Sequence, residues 1–229
     1  MDSIQKNLTE VKARIIRATE ASGRNAADIT LVAVSKTHGS EAVRHVLGMG
    51  QAVFGENKVQ EAEWKRPEVE GGEWHLIGHL QSNKARKAVK IFDVIETVDS
   101  VDLVERLDRI CGEEGREGLG VFVQVDLGGE ESKAGAEVSE VPKIIGAVRD
   151  SKHLIFKGLM TIPPFFDDPE DARPFFKRLR EIRDEFAPEG GLSMGMSHDL
   201  EVAIEEGATV VRVGTAIFGT RTSPRTEEN

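Results

Sequence analysis

A chain of 229 residues, 39% hydrophobic and 31% charged, has enough apolar material for one large α/β domain or two small ones. Its net charge of −10 argues against nucleic acid as the main partner, and no apolar run approaches the roughly 18 residues of a membrane span. The start, MDSIQKNLTEVKARI, lacks the apolar block of a secretory signal and the single cysteine cannot pair internally, so a cytoplasmic protein is expected.

The opening segment sets Ile4, Leu8, Val11 and Ile15 on one helical face, closed by Gly23. TLVAVS at 30–35 then reads as a buried strand, followed by a helix with Val43, Val46 and Leu47. AVFG at 52–55 is a second strand, and 56–65 is helical in composition. EWHLIG at 73–78 gives a third strand, before a basic helix from about Ser82 to Lys90 whose cations read as a solvated face. VIETV at 94–98 precedes a helix with Val101, Val104, Leu107 and Cys111 on one stripe, the cysteine as core packing. GVFVQVDL at 120–127 is followed by a helix carrying Val141, Ile144, Ile145 and Val148. FKGLMTI at 156–162 leads to a helix with Phe175, Leu179, Ile182 and Phe186 in register. LSMGM at 192–196 is a poor strand by propensity, placed where a seventh is due. A short helix with Leu200, Ala203 and Ile204 ends at Gly207, and TVVRVG at 209–214 is the eighth strand.

Eight strands alternating with helices predict a parallel sheet closed as a (β/α)8 TIM barrel, with an extra N-terminal helix. An open doubly wound sheet is the alternative, but no G-x-G-x-x-G follows the first strand. No Gly/Ser/Pro-rich linker divides the chain, so residues 1–229 are expected to be one domain, with 222–229 a disordered tail.

In such a barrel, chemistry gathers where strands end. Lys36 directly follows the apolar run LVAVS, which sets its amine at that rim as a nucleophile for a carbonyl, or else as a snorkelling surface residue. Ser197 stands where a helix N-cap is due after the seventh strand, and Gly214 and Thr215 follow the eighth. The loops after strands 7 and 8 are the usual phosphate site of this fold, so these three residues predict phosphate binding. Arg212 shares the strand face of Gly214 and needs an acceptor inside the barrel, for which a structural ion pair is the simplest reading. His75 and His79 fall on a strand and its loop without a zinc pattern, and read as core or rim residues. GGEESKAG at 128–135 lacks the glycine before Lys133 and the hydroxyl after it that a Walker A loop requires.

Five blocks, LVAVSK at 31–36, FGENKVQE at 54–61, WHLIGHLQSNK at 74–84, GLMTI at 158–162 and the long run at 192–219, together resemble the pyridoxal phosphate homeostasis protein family. The resemblance implies a fold-type III barrel, similar to the barrel domain of alanine racemase, with pyridoxal 5′-phosphate held as a Schiff base on Lys36. It also implies phosphate contacts from Ser197, Gly214 and Thr215, Arg212 facing the pyridine nitrogen, and Asn57 and His79 lining the pocket. One departure is Lys58 after Asn57, where tyrosine is common in the family.

An arginine at the ring nitrogen cannot accept its proton, so the ring is a weaker electron sink than one facing a carboxylate. The chain contains no tyrosine to act as a second base and ends fifteen residues after Gly214, so an additional domain that would supply one is not expected. A monomeric cofactor-binding protein that buffers or delivers pyridoxal phosphate to apo-enzymes is therefore expected. A slow racemase or transaminase is the alternative, and a regulatory interaction protein sensing vitamin status is a third reading.

Overall fold

The computed structural model describes residues 2–129 and 134–219, in which the predicted alternation closes on itself. After α1 (Asp2–Ala21) come β1 (Thr30–Val34), α2 (Ser40–Gly48), β2 (Val53–Glu56), α3 (Val59–Lys65), β3 (Glu73–Leu76), α4 (Ala85–Ile91), β4 (Val94–Val98) and α5 (Val101–Glu114). The second half runs β5 (Leu119–Gln124), α6 (Val141–Asp150), β6 (Leu154–Met160), α7 (Arg173–Phe186), β7 (Gly191–Ser193), α8 (Leu200–Glu205), β8 (Val210–Val213) and α9 (Thr215–Phe218). All neighbours are parallel, and β1 closes the barrel on β8 with Thr30 opposite Val210 and Ala33 opposite Val213. The open-sheet alternative is thereby excluded. The tail 222–229 and Lys133 lie outside the described residues.

Strand alternation divides the apolar residues between two cores. Outward-facing Leu31, Ala33, Phe54, Trp74, Leu76, Ile95, Val211 and Val213 pack under the helices. Val32, Val94, Phe122, Met160 and Val210 form a smaller cluster that fills the barrel interior. The helices follow from local rules, α5 being the clearest. Ser100 caps it by accepting the Leu103 N–H at 3.3 Å, Leu103, Val104, Leu107, Ile110 and Cys111 are buried along one face, and Gly115 ends it at φ 64°. Burial pushes the Cys111 thiol up to about 11, in keeping with packing rather than reactivity. The cations of α4 pair outward, Arg86 with Glu113 and Glu114, Lys87 with Glu63 and Lys90 with Glu114, as a solvated face does. Among the described residues, no helix is long and apolar enough to cross a membrane.

Two expectations need correction. In α7 the buried stripe runs through Phe176, Leu179 and Ile182, whereas Phe175 turns aside to meet Phe166 of the preceding loop at 5.6 Å. The seventh strand is only Gly191–Ser193, because Gly195 bends the chain away at φ 91°. A side chain at Gly195 would bring its Cβ within 2.5 Å of the Ala203 Cβ, so the bend is reserved for glycine.

Candidate functional site

The rim after β1 is a tight turn. The His38 N–H donates to the Ser35 carbonyl at 3.1 Å, and Thr37 adopts φ 68° at the third position. This turn leaves Lys36 exposed at the rim, where the turn after β8 meets it. Lys36, Thr37, His38, Gly214, Thr215 and Gly219 line one cavity of about 350 Å³, so the structure brings together three residues singled out from sequence. His38 was not among them. It stacks on Phe218 at 5.0 Å, and burial, followed by the charge of Lys65, moves its pKa below the usual 6.5. That shift favours the neutral imidazole in the cavity that Lys36 also lines.

Ser197 is not the N-cap of α8. Asp199 takes that position, and its Oδ1 accepts the Met196 N–H at 2.6 Å. The Ser197 hydroxyl instead accepts the Ala216 N–H at 3.3 Å, joining the β7 loop to the turn after β8. α1 fixes that loop from outside: Arg14 donates to the Ser197 carbonyl at 3.0 Å and to Glu201 at 2.6 Å. The phosphate-type residues thus share a neighbourhood through different contacts from those expected.

Arg212 faces the barrel interior, 3% exposed. Its Nη1 donates to Ser193 Oγ at 2.5 Å, its Nη2 donates to the Thr161 carbonyl at 2.8 Å, and Glu96 lies 3.7 Å away. The ion pair read from sequence is present, within a longer chain of bonds. Ser193 donates to Glu96 Oε2 at 2.5 Å, and Glu96 Oε1 meets His75 Nδ1 at 2.6 Å. His75 Nε2 meets Glu73 Oε1 at 2.8 Å. With both ring nitrogens facing carboxylates, His75 is a double donor and carries a proton. Burial opposes that charge, but Glu73 and Glu96 prevail and raise its pKa to about 9. Burial likewise works against an ionised Glu96, yet His75, Arg212 and Ser193 hold it below the usual carboxylate range.

A pH dependence follows. A folded pKa of about 9 against an ordinary 6.5 means that His75 contributes stability fully below pH 6.5, lost as the pH rises through about 9. Urea unfolding across that interval is expected to show falling stability in the parent and a flatter profile in His75→Gln. Equal slopes for the two proteins would contradict the double-donor assignment.

Asn57 and His79 lie elsewhere on the rim. Together with Lys58, Gly78, Gln81 and Lys84 they line a second cavity of about 640 Å³ between the loops after β2 and β3. A Cβ at Gly78 would sit 2.2 Å from the Asn57 carbonyl oxygen, so glycine is what lets these loops close on each other. The cavity residues at Asn57 and His79 do not line the pocket that holds Lys36. His75 and His79 also part company, one inside the barrel and the other exposed.

The sequence reading missed His38, Glu96 and Ser193, and gave His75 as a core or rim histidine without its partners. A usable signal existed for His75 and Glu96, since one lies between Trp74 and Leu76 and the other directly follows Val94 and Ile95 within strands. A buried charge inside a strand needs partners.

Comparison with known proteins adds independent findings. The family model of the alanine racemase N-terminal domain matches residues 2–222. The chain is 42% identical over 224 residues to the pyridoxal phosphate homeostasis protein of Pseudomonas aeruginosa, covering 96% of this chain and 97% of that one. It superposes on PipY of Synechococcus elongatus, solved with pyridoxal phosphate bound, with a TM-score of 0.81 and 38% identity, covering 94% of this chain and all of that one. Alanine racemase of Clostridium difficile, 17% identical with a TM-score of 0.71 over 98% of this chain and 58% of that one, shares the fold.

Proposed function

The chain belongs to the pyridoxal phosphate homeostasis proteins of the alanine racemase N-terminal domain family, and from that membership we propose that Lys36 holds the cofactor reversibly at the barrel mouth for storage and delivery. The protein binds pyridoxal phosphate and acts in its homeostasis. The observation that carries the residue-level reading is the shared cavity of Lys36, Gly214 and Thr215.

The residues present fit the cofactor. A cavity of about 350 Å³ falls in the range of small-ligand sites, with an amine on one wall and a glycine and a hydroxyl on another. When bound, pyridoxal phosphate supplies an aldehyde for an amine and an electron-withdrawing ring. Lys36 provides that amine. Ser197, Gly214 and Thr215 bind the phosphate through hydroxyl and backbone groups. Arg212, pinned by Ser193 and the Thr161 carbonyl, would offer a fixed positive charge and no proton acceptor to the ring of a bound cofactor. Asn57 and His79 stand farther round the rim, where they border the approach from the second cavity.

Carrier behaviour suits this set, because the lysine is exposed at an open rim from which another amine can displace it. A slow amino-acid racemase or transaminase is the second reading, and one residue favours it: His38, its neutral form favoured in the cavity that Lys36 also lines, is a base that the missing tyrosine does not supply. Two assays separate them, transfer of bound cofactor to a pyridoxal phosphate-dependent apo-enzyme and turnover across a panel of amino acids. Transfer with negligible turnover is expected. Turnover at the roughly 1–10³ s⁻¹ of ordinary enzymes would overturn the carrier reading.

A further inference from the structure

Lys65 ends α3 with its side chain 0% exposed, in the layer between the barrel wall and the helices. A buried ammonium is costly unless its protons are all engaged, and an apolar side chain would serve better for anchoring a helix alone. Its three donors are engaged: Ser35 O at 2.8 Å, Glu56 Oε1 at 2.7 Å and Glu61 Oε2 at 3.3 Å. Each of these acceptors leads to the same turn. Ser35 is the residue before Lys36, and its hydroxyl donates to the same Glu56 oxygen at 2.6 Å. Glu61 Oε2 also accepts the Thr37 N–H at 2.9 Å, on the other side of Lys36.

The turn requires such support. Thr37 holds φ 68°, a left-handed conformation that a β-branched residue rarely adopts, and strain of this kind persists only where the surroundings fix it. Here the peptide groups on both sides of Lys36 are tied to one buried cluster. We infer that Glu56, Glu61 and Lys65 are positioning residues that hold the Ser35–Thr37 turn and thereby aim the Lys36 amine into the mouth cavity, an inference that rests on the reading of Lys36 as the attachment point.

The charges are consistent with this arrangement. Burial raises the Glu56 pKa against the pull of Lys65. Burial would raise Glu61 as well, but the Thr37 N–H and Lys65 outweigh it and hold that carboxyl below its usual range. Glu61 therefore remains an anion that grips the turn on one side and Lys65 on the other through a single oxygen. A glutamine oxygen also has two lone pairs and can accept both donors, whereas aspartate keeps the charge but loses the reach.

The experiment follows from that distinction. Glu61→Ala, Glu61→Asp and Glu61→Gln are compared with the parent by two measurements. One is hydrogen exchange at the Thr37 amide without cofactor. The other is the rate at which pyridoxal phosphate followed by borohydride labels Lys36, read by peptide mass spectrometry. The side chain of Glu61 is 21% exposed, so the variants are expected to fold, with thermal unfolding as the check. Alanine and aspartate should lose Thr37 protection and slow labelling by roughly 10–100-fold, the range expected for a misplaced reacting group, while glutamine restores both. Labelling of Lys36 at the parent rate in Glu61→Ala and Glu61→Asp would overturn the clamp and leave the attachment point standing. Labelling of a different lysine in the parent itself would overturn the attachment point, and the clamp's purpose with it.

Discussion

Lys36→Ala protein is expected to fold as the parent does and to give no visible band when pyridoxal phosphate is added. The fold should survive because Lys36 is exposed at the rim. Surface changes of this sort usually fall within about 0.5 kcal/mol of neutral. The covalent attachment, by contrast, has no substitute: Lys65 is enclosed by its three acceptors. Binding through the phosphate should persist, since each charge-assisted hydrogen bond contributes on the order of 1.5–3 kcal/mol. The variant should therefore retain weak, colourless binding by calorimetry, with an unchanged midpoint in thermal unfolding. A full visible band in Lys36→Ala would remove the lysine from its assigned role.

Glu96→Ala is expected to destabilise the fold more than any change at the rim. Glu96 is fully buried inside the barrel and joins His75, through a 2.6 Å contact, to Ser193 at 2.5 Å and so to Arg212. Removing it leaves the protonated imidazole with Glu73 as its one remaining carboxylate and takes from the buried guanidinium the carboxylate 3.7 Å away. Breaking a buried pair in this way costs about 3–5 kcal/mol, because the remaining charge has no water to turn to. Glu96→Gln keeps the shape and some of the hydrogen bonds, so it should lie between alanine and the parent. Urea unfolding at constant pH reads the difference directly. A loss below about 1 kcal/mol for Glu96→Ala, no more than one ordinary hydrogen bond, would show that the interior chain of charges contributes little.

The parts of this site that were legible in the sequence are those that depend on neighbours along the chain. Lys36 closes an apolar run, Gly214 and Thr215 follow the last strand, and Arg212 sits two residues before Gly214 on one face. Barrel closure was legible too, because eight strand signals alternate with helical ones, the seventh resting on its place in the series rather than on its propensity. What stayed hidden depends on closure in three dimensions. His75 and Glu96 are 21 positions apart, and Glu96 and Ser193 are 97 apart, so no local pattern pairs them. Lys65 read as one more polar residue of a helix, because its acceptor Ser35 lies 30 positions earlier. Ser197 was assigned the N-cap two residues too early for a backbone reason: the chain bends at Gly195, and Asp199 takes the cap position. Asn57 and His79 entered as pocket residues through family resemblance, and the structure sets them on a cavity other than the one Lys36 lines.

The central claim is that one particular amine, at the end of the first strand, holds the cofactor. Borohydride reduction of the cofactor-loaded parent protein, followed by proteolysis and mass spectrometry, tests it most directly. A single stable pyridoxyl adduct is expected on the peptide that contains Lys36. An adduct on Lys58, Lys84 or any other lysine in place of Lys36, or no adduct at all, would contradict the assignment.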